Sequence, residues 1–203
     1  VVDLKSEMTF GHAYYAASFD KGGKTNYLKT ITKAFIDGRE LIANAQGNKL
    51  TDSQNAELKS YADVIASNWE KVIAEAVFKY AGSVYKDMQK LEKQLASNND
   101  TTKAFSTYVK HWGELKGFAM SLQTGKRNLG ETAVKLNRLM GFGPLLLNAS
   151  QVVGIDSKGN YIKDQGSSWG EYMLHMLKVQ KLMVDQFDVK AKSNDQLSKI
   201  ADL

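Results

Sequence analysis

The chain lacks cysteine, has a single proline (Pro144) in 203 residues, and contains no long hydrophobic run. Without cysteine it can form no disulfide, thiolate nucleophile or zinc ribbon. No stretch approaches the roughly 20 apolar residues that a transmembrane helix requires. Strand-like alternation is also scarce, whereas apolar residues recur at helical spacing along most of the chain. These features predict an all-α protein with a sizeable core.

The first residues lack the pattern of a signal peptide. Val1-Val2-Asp3-Leu4-Lys5 has neither a basic start nor an apolar core, and the chain does not begin with Met. We interpret the chain as the mature part of a longer precursor. No linker rich in Gly, Ser or Pro divides it, so we expect residues 1–203 to form a single helical domain.

The net charge of +5 is unevenly distributed. The first hundred residues hold 13 basic and 13 acidic side chains, and the remainder hold 14 and 9. The excess gathers around five side chains: Lys116, Lys126, Arg127, Lys135 and Arg138. Such a patch can attract phosphate-rich partners. The interleaved aromatics and the helix-turn-helix or zinc patterns of nucleic-acid binders are missing, which favours a solvated basic face and no nucleic-acid partner.

The helical spacing predicts an up-down helical bundle with one very long helix. The predicted helices cover about residues 4–19, 26–45, 51–95, 102–123, 129–140, 168–190 and 195–203. The third would span nearly 70 Å at about 1.5 Å per residue, so we expect a kink near Gly82-Ser83. Residues 141–168 are predicted to be irregular, with a small hairpin around the turn Asp156–Asn160.

Apolar residues three and four positions apart predict the core-facing stripes of the first two helices. On the first helix the stripe comprises Leu4, Met8, Tyr15 and Phe19. On the second it comprises Leu28, Ile31, Phe35 and Ile42. Thr25 or Asn26 is the predicted N-cap of the second helix, because their side chains accept amide hydrogen bonds there.

His111 and Glu114, in the run Lys110-His111-Trp112-Gly113-Glu114, share a helix beside its apolar seam. Side chains three residues apart on a helix lie within about 6 Å, close enough to bind one ion. A tight metal centre needs three or four ligands, so the rest would have to come from other helices. The competing interpretation is a half-exposed histidine beside an unrelated surface glutamate.

The other histidines carry weaker signals. His12 falls on the apolar stripe of the first helix, where it is either a core histidine or a further ligand. His175 pairs with Glu171 four residues earlier, a contact that supports a helix. The Glu-x-x-His pairs of di-iron bundles are missing. So are the Gly-x-Ser-x-Gly motif of serine hydrolases and the glycine-rich loops that bind phosphate.

Three stretches resemble the DUF4856 family of bacterial envelope proteins, which is akin to the imelysin-like proteins. They are Ala34–Ile42, Asn68–Ala76 and His111–Phe118, and the similarity covers most of residues 25–145. Imelysin-like proteins are helical bundles of the periplasm or outer membrane. They are often linked with iron uptake, carry a Gly-x-His-x-x-Glu motif and were once catalogued as peptidases.

The resemblance implies a metal site. His111 and Glu114 match the histidine and glutamate of the motif, and Val109 stands where the family has glycine. Longer members have an earlier aromatic segment rich in histidine and acid. Its counterpart here is Phe10–Tyr15, which retains His12 and no acid. The implied metal ligands are therefore His111, Glu114 and His12, with iron or another divalent metal as the cofactor.

Taken with this resemblance, the sequence predicts a non-catalytic binding protein, a lipoprotein of the periplasm or outer-membrane surface of a Gram-negative bacterium. It would hold a metal ion or metal complex in connection with iron uptake. One alternative is a structural or adhesive module that contacts an envelope protein through Leu145–Leu147 and the Met-rich final long helix. A second is an imelysin-like metallopeptidase, which needs a third ligand and an activated water.

Overall fold

The computed structural model describes residues 11–125 and 127–201, apart from the side chains of residues 200 and 201. Within these residues the fold has seven helices and one two-stranded antiparallel sheet, which confirms the predicted all-α class. The helices are α1 His12–Asp20, α2 Tyr27–Asn44, α3 Asp52–Ala96, α4 Thr102–Gln123, α5 Glu131–Met140, α6 Trp169–Phe187 and α7 Leu197–Ala201. None of them is long and apolar enough to cross a membrane.

The chain divides into two compact units, Val1–Ile73 and Ala74–Leu203. The long helix α3 contributes its N-terminal half to the first unit and its C-terminal half to the second. In the first unit α1 packs on α2, and in the second α5 packs on both α4 and α6.

Local capping explains where α3 begins. Thr51 Oγ1 accepts the N–H of Gln54 at 3.3 Å, and Gln54 Oε1 accepts the N–H of Thr51 at 2.9 Å. This reciprocal capping box starts α3 at Asp52.

The bounds of α4 agree with the predicted ones. α1 begins at His12, and the predicted stripe positions Leu4 and Met8 lie outside the described residues.

In the first unit Asp20, the last residue of α1, caps α2. Its Oδ1 accepts the N–H of Tyr27 at 2.9 Å and the hydroxyl of Thr25 at 2.7 Å. Its Oδ2 accepts the N–H of Leu28 at 2.8 Å. These amides are among those that a helix N-terminus leaves without a partner inside the helix. The cap is therefore the Asp20 carboxylate, since the side chain of Asn26 makes no capping bond.

The buried face of α2 also differs from the predicted one. Phe35 and Ile42, whose spacing predicts core positions, are 56% and 54% exposed. The buried residues are Tyr27, Ile31, Ala34 and Gly38. α2 contacts α3 at Gly38, where a Cβ would lie 3.5 Å from Leu58 Cδ1, an ordinary van der Waals distance. Small residues on this stripe suit helix packing, because interhelical distance depends on side-chain size at the contact.

The second unit surrounds the C-terminal half of α3. Nearly every residue between Ala74 and Val84 is buried, whichever face of the helix it occupies. Tyr108 and Leu115 of α4 and Met176 of α6 also lie in the core. Leu145, Met176 and Met183 are fully buried. The surfaces suggested for an adhesive role therefore contribute much of their apolar area to the core.

The irregular segment contains the predicted hairpin. Strand β1, Ser150–Ile155, pairs with β2, Tyr161–Gln165. Asp156 shapes the turn between them, because its Oδ1 accepts the N–H groups of both Lys158 and Asn160 at 2.8 Å. Short polar side chains that accept backbone amides in this way are typical of tight turns.

A buried carboxylate fixes the segment that follows α6. Glu75 of α3 is fully buried. Its Oε1 accepts the backbone N–H groups of Lys190 and Ala191, both at 2.7 Å, and its Oε2 accepts that of Lys192 at 3.1 Å. The backbone adopts the left-handed conformation at Asp188 and Lys192, with φ of 54° and 48°. A buried charge is costly unless it is hydrogen-bonded, and these three donors meet that requirement.

The segment after α6 contacts α3 again farther along that helix, and Gln180 of α6 connects the two. Gln180 Nε2 donates to the carbonyl oxygens of Phe78 on α3 and Asn194 in the segment, both at 3.0 Å. The Asn194 carbonyl passes so close to Gly82 that a Cβ there would lie 1.9 Å from its oxygen. Gly82, near which the sequence predicts a kink, thus has a packing role. α3 is one helix through this position.

We expect Glu75→Gln to lower the free energy of unfolding by about 1–3 kcal/mol, because it removes the charge and turns an amide donor toward a backbone donor. Urea unfolding followed by circular dichroism measures the change. Glu92→Gln, on the exposed surface of the same helix, is the matched control and should change stability by about 0.5 kcal/mol or less. Equal small effects of the two substitutions would contradict a stabilising role for Glu75.

Candidate functional site

His111 on α4 contacts Asp87 on α3. The distance from His111 Nδ1 to Asp87 Oδ2 is 2.6 Å. The two side chains are 28% and 17% exposed, so the pair is half-buried and solvent can reach it. The ring of Tyr80 lies 6.0 Å from the imidazole and stacks on Phe118 at 5.6 Å. The two helices therefore hold the imidazole beside a carboxylate and an aromatic pair.

Asp87 determines which nitrogen of His111 is available to a ligand. In a neutral imidazole one nitrogen carries the proton and the other accepts. Because Nδ1 faces the carboxylate oxygen, the neutral ring has its proton on Nδ1 and its lone pair on Nε2. Metal-binding histidines are commonly oriented by a carboxylate in this way. Nε2 of His111 is thus the atom that can bind a metal ion or accept a proton.

Glu114 lies three residues after His111 on α4 and is partly exposed. The helix keeps these two side chains within about 6 Å of each other. Across the described residues, however, no group of three or more His, Cys, Asp or Glu side chains is arranged to hold a metal ion. The donors on α4 therefore fit a metal that brings further ligands with it, and not a closed centre made of protein ligands alone.

His12 is the first residue of α1 and belongs to the first unit, whereas His111 and Glu114 belong to the second. It is exposed, and its ring packs edge-on against Trp69 at a centroid distance of 5.2 Å. The interpretation of His12 as a core histidine is therefore wrong. Metal binding by His12 remains a prediction.

The residue after His111 anchors α4 in the core. Trp112 Nε1 donates to the hydroxyl of Tyr172 on α6 at 2.7 Å, and that hydroxyl donates to the carbonyl of Met140 at 2.7 Å. Lys116, one turn farther along α4, donates to the carbonyl of Gly141 at 2.7 Å. Partial burial lowers the pKa of this lysine. These bonds fix α4 and thereby the position of His111.

Asp87 is the site residue that sequence reasoning misses. Its signal is weak but present: it lies between Val84 and Met88, two buried residues of the apolar stripe of α3. An acid on the border of one apolar seam and a histidine on the border of the next are candidates for contact. Their pairing depends on the register of α4 against α3, which the sequence does not specify.

No family model, curated protein or solved structure matches this chain. The three stretches that resemble the DUF4856 family lie on α2, α3 and α4. Membership of that family and metal binding at His111 and Glu114 remain predictions.

His175 on α6 is half-buried. Burial lowers its pKa below 6.5, and the nearby charge of Lys178 acts in the same direction. The carboxylate of Glu171 and a hydrogen bond with the Leu139 carbonyl oppose this shift. Burial thus favours the neutral form of the side chain.

We expect His175 to destabilise the fold as the pH falls below about 6.5. The unfolded chain binds this proton more readily than the folded one, so stability is retained above that pH and decreases below it. An NMR titration should give a midpoint for His175 below 6.5. The free energy of unfolding should also fall less between pH 7 and 5 in His175→Gln than in the wild type. A midpoint above 6.5 would contradict this expectation.

Proposed function

We propose that this protein is a non-catalytic helical binding protein of a bacterial cell envelope that holds a metal complex at His111, with Glu114 as the second donor. The observation that carries the proposal is the bond of 2.6 Å between His111 Nδ1 and Asp87 Oδ2. It orients the imidazole and leaves Nε2 as the donor atom. A partly exposed histidine without such a partner would have no fixed orientation for a ligand.

The number of donors favours a complex over a bare ion. Iron and zinc both accept imidazole and carboxylate ligands. His111 and Glu114 offer one of each, which leaves the other coordination positions to the ligands that the metal brings. The proposal requires no contribution from His12. The proposed envelope location, the lipoprotein assignment and the link with iron uptake rest on the resemblance of the three stretches to DUF4856.

The alternative of an imelysin-like metallopeptidase has less support. Hydrolysis by a metal-bound water requires a metal held firmly by the protein with an open position for that water. The described residues offer no group of three ligands for such a metal.

Protein contact is a second candidate function, favoured by one specific observation. Phe35 and Ile42 are more than half exposed on α2. They line an apolar groove of about 500 Å³ between α2 and α3 in the first unit, with Leu58 and Ile65 on the opposite wall. Light scattering tests self-association through this face. A strict monomer at high concentration would count against such assembly.

We expect wild-type protein to bind ferric citrate, used as a simple iron complex, and His111→Ala to bind it at least about tenfold more weakly. Asp87→Asn should weaken binding by about 10- to 100-fold, because outer carboxylates orient the ligand histidine. Isothermal titration calorimetry measures both. Ferrous, ferric and zinc ions added alone should bind more weakly than the complex.

His175→Ala is the matched control, because it removes another half-buried histidine from a helix of the same unit. It should leave the affinity for ferric citrate unchanged. Near-ultraviolet circular dichroism verifies that each variant keeps its tertiary structure. Equal heats of binding in the wild type and His111→Ala would contradict a binding site at His111.

A further inference from the structure

A groove between α5 and α6 combines cationic walls with an apolar floor. Its volume is about 400 Å³. Four cations line it, Lys135 and Arg138 on α5 and Lys178 and Lys181 on α6, together with one carboxylate, Asp185 on α6. Leu139 and Leu182, both half-buried, form the floor. All four cationic residues are exposed.

The spacing of these residues explains why they share one groove. Lys135 and Arg138 are three residues apart on α5, and Lys178 and Lys181 are three apart on α6. Residues at that spacing lie on the same side of a helix. Because α5 packs against α6, the two cationic rows flank the seam in which the leucines lie. A basic surface predicted to be merely solvated thus borders a concave apolar strip.

Carboxylates neutralise this groove only in part. Lys181 Nζ lies 2.8 Å from Asp185 Oδ2, and Lys135 Nζ lies 3.8 Å from Glu131 Oε2. Within the part of the chain that the structure describes, the ion pairs include neither Arg138 nor Lys178. These two cations, one from each helix, are available to an anion. Arginine is well suited to that task because its planar guanidinium can donate two hydrogen bonds to one carboxylate or phosphate.

We propose that this groove binds a single-chain anionic amphiphile, of which a long-chain carboxylate is the simplest example. The alkyl chain lies along Leu139 and Leu182, and the headgroup accepts hydrogen bonds from Arg138 and Lys178. Burying the chain provides the affinity, and the cations select a negative headgroup. The shape of the groove and the sign of its charge thus specify the same ligand class.

The size of the groove fits a small amphiphile. Ligand pockets for small molecules occupy about 300–1,000 Å³, a range that includes this groove.

The test uses sodium dodecanoate held below its critical micelle concentration and titrated into the full chain. NMR should show saturable binding to one site, with shifts of the Leu139 and Leu182 methyl signals. Acetate has the headgroup without the chain, and an uncharged dodecyl glycoside has the chain without the charge. Each should bind at least about tenfold more weakly, because each loses one of the two contributions.

The charge is tested with the double variant Arg138→Gln/Lys178→Gln, which should bind dodecanoate at least about tenfold more weakly. Its matched control is Lys158→Gln/Lys163→Gln on the hairpin, where both lysines are exposed. The control has the same net charge and should retain the wild-type affinity. Leu182→Gln tests the floor and should also weaken binding. Equal thermal unfolding temperatures verify that the variants are folded.

Several results would overturn the proposal. Equal affinities of the two double variants would show that net charge alone attracts the ligand. Acetate binding as tightly as dodecanoate would reduce the groove to a simple anion site. Binding to vesicles containing phosphatidylglycerol without binding to the monomeric amphiphile would indicate a membrane-facing surface. His111→Ala should bind dodecanoate normally, so this proposal stands or fails independently of the metal complex.

Discussion

The carboxylate of Glu75 is the interaction on which the second unit depends. It lies on a stretch of α3 that is buried on every face, so water cannot solvate it and the protein must supply its hydrogen bonds. Three consecutive backbone amides, at residues 190–192, supply them. This requirement fixes the path of the chain after α6. It therefore also fixes where the Asn194 carbonyl meets Gly82.

The sequence predicts those parts of the fold that depend on local patterns. The bounds of α4 follow from its helical spacing, and the hairpin follows from the turn at Asp156. Features that depend on the partner helix are missed. Asp20 caps α2 from the preceding helix, and the buried face of α2 is the one that carries Gly38 beside Leu58 of α3. Spacing alone does not distinguish that face from one carrying Phe35.

The same distinction between local and long-range contacts applies to the candidate site. The pairing of His111 with Glu114 is local, because one helical turn brings the two side chains together. Asp87, which orients the imidazole, is separated from His111 by 24 positions along the chain. No sequence motif encodes a contact of that range. Likewise, the sequence shows that Lys135 and Arg138 are basic, but only the packing of α5 on α6 provides the apolar floor between them and the lysines of α6.

The shortness of α5 connects the core of the second unit to the groove on its surface. A helix of ten residues is marginal in water and needs tertiary contacts. Its C-terminal end receives two of them. The Tyr172 hydroxyl donates to the Met140 carbonyl, and the Lys116 ammonium donates to the Gly141 carbonyl. Both bonds satisfy carbonyls that a helix end leaves unpaired, and the ammonium also opposes the negative end of the helix dipole. Since Arg138 lies in that last turn, the same bonds fix the backbone that carries it and with it one wall of the groove.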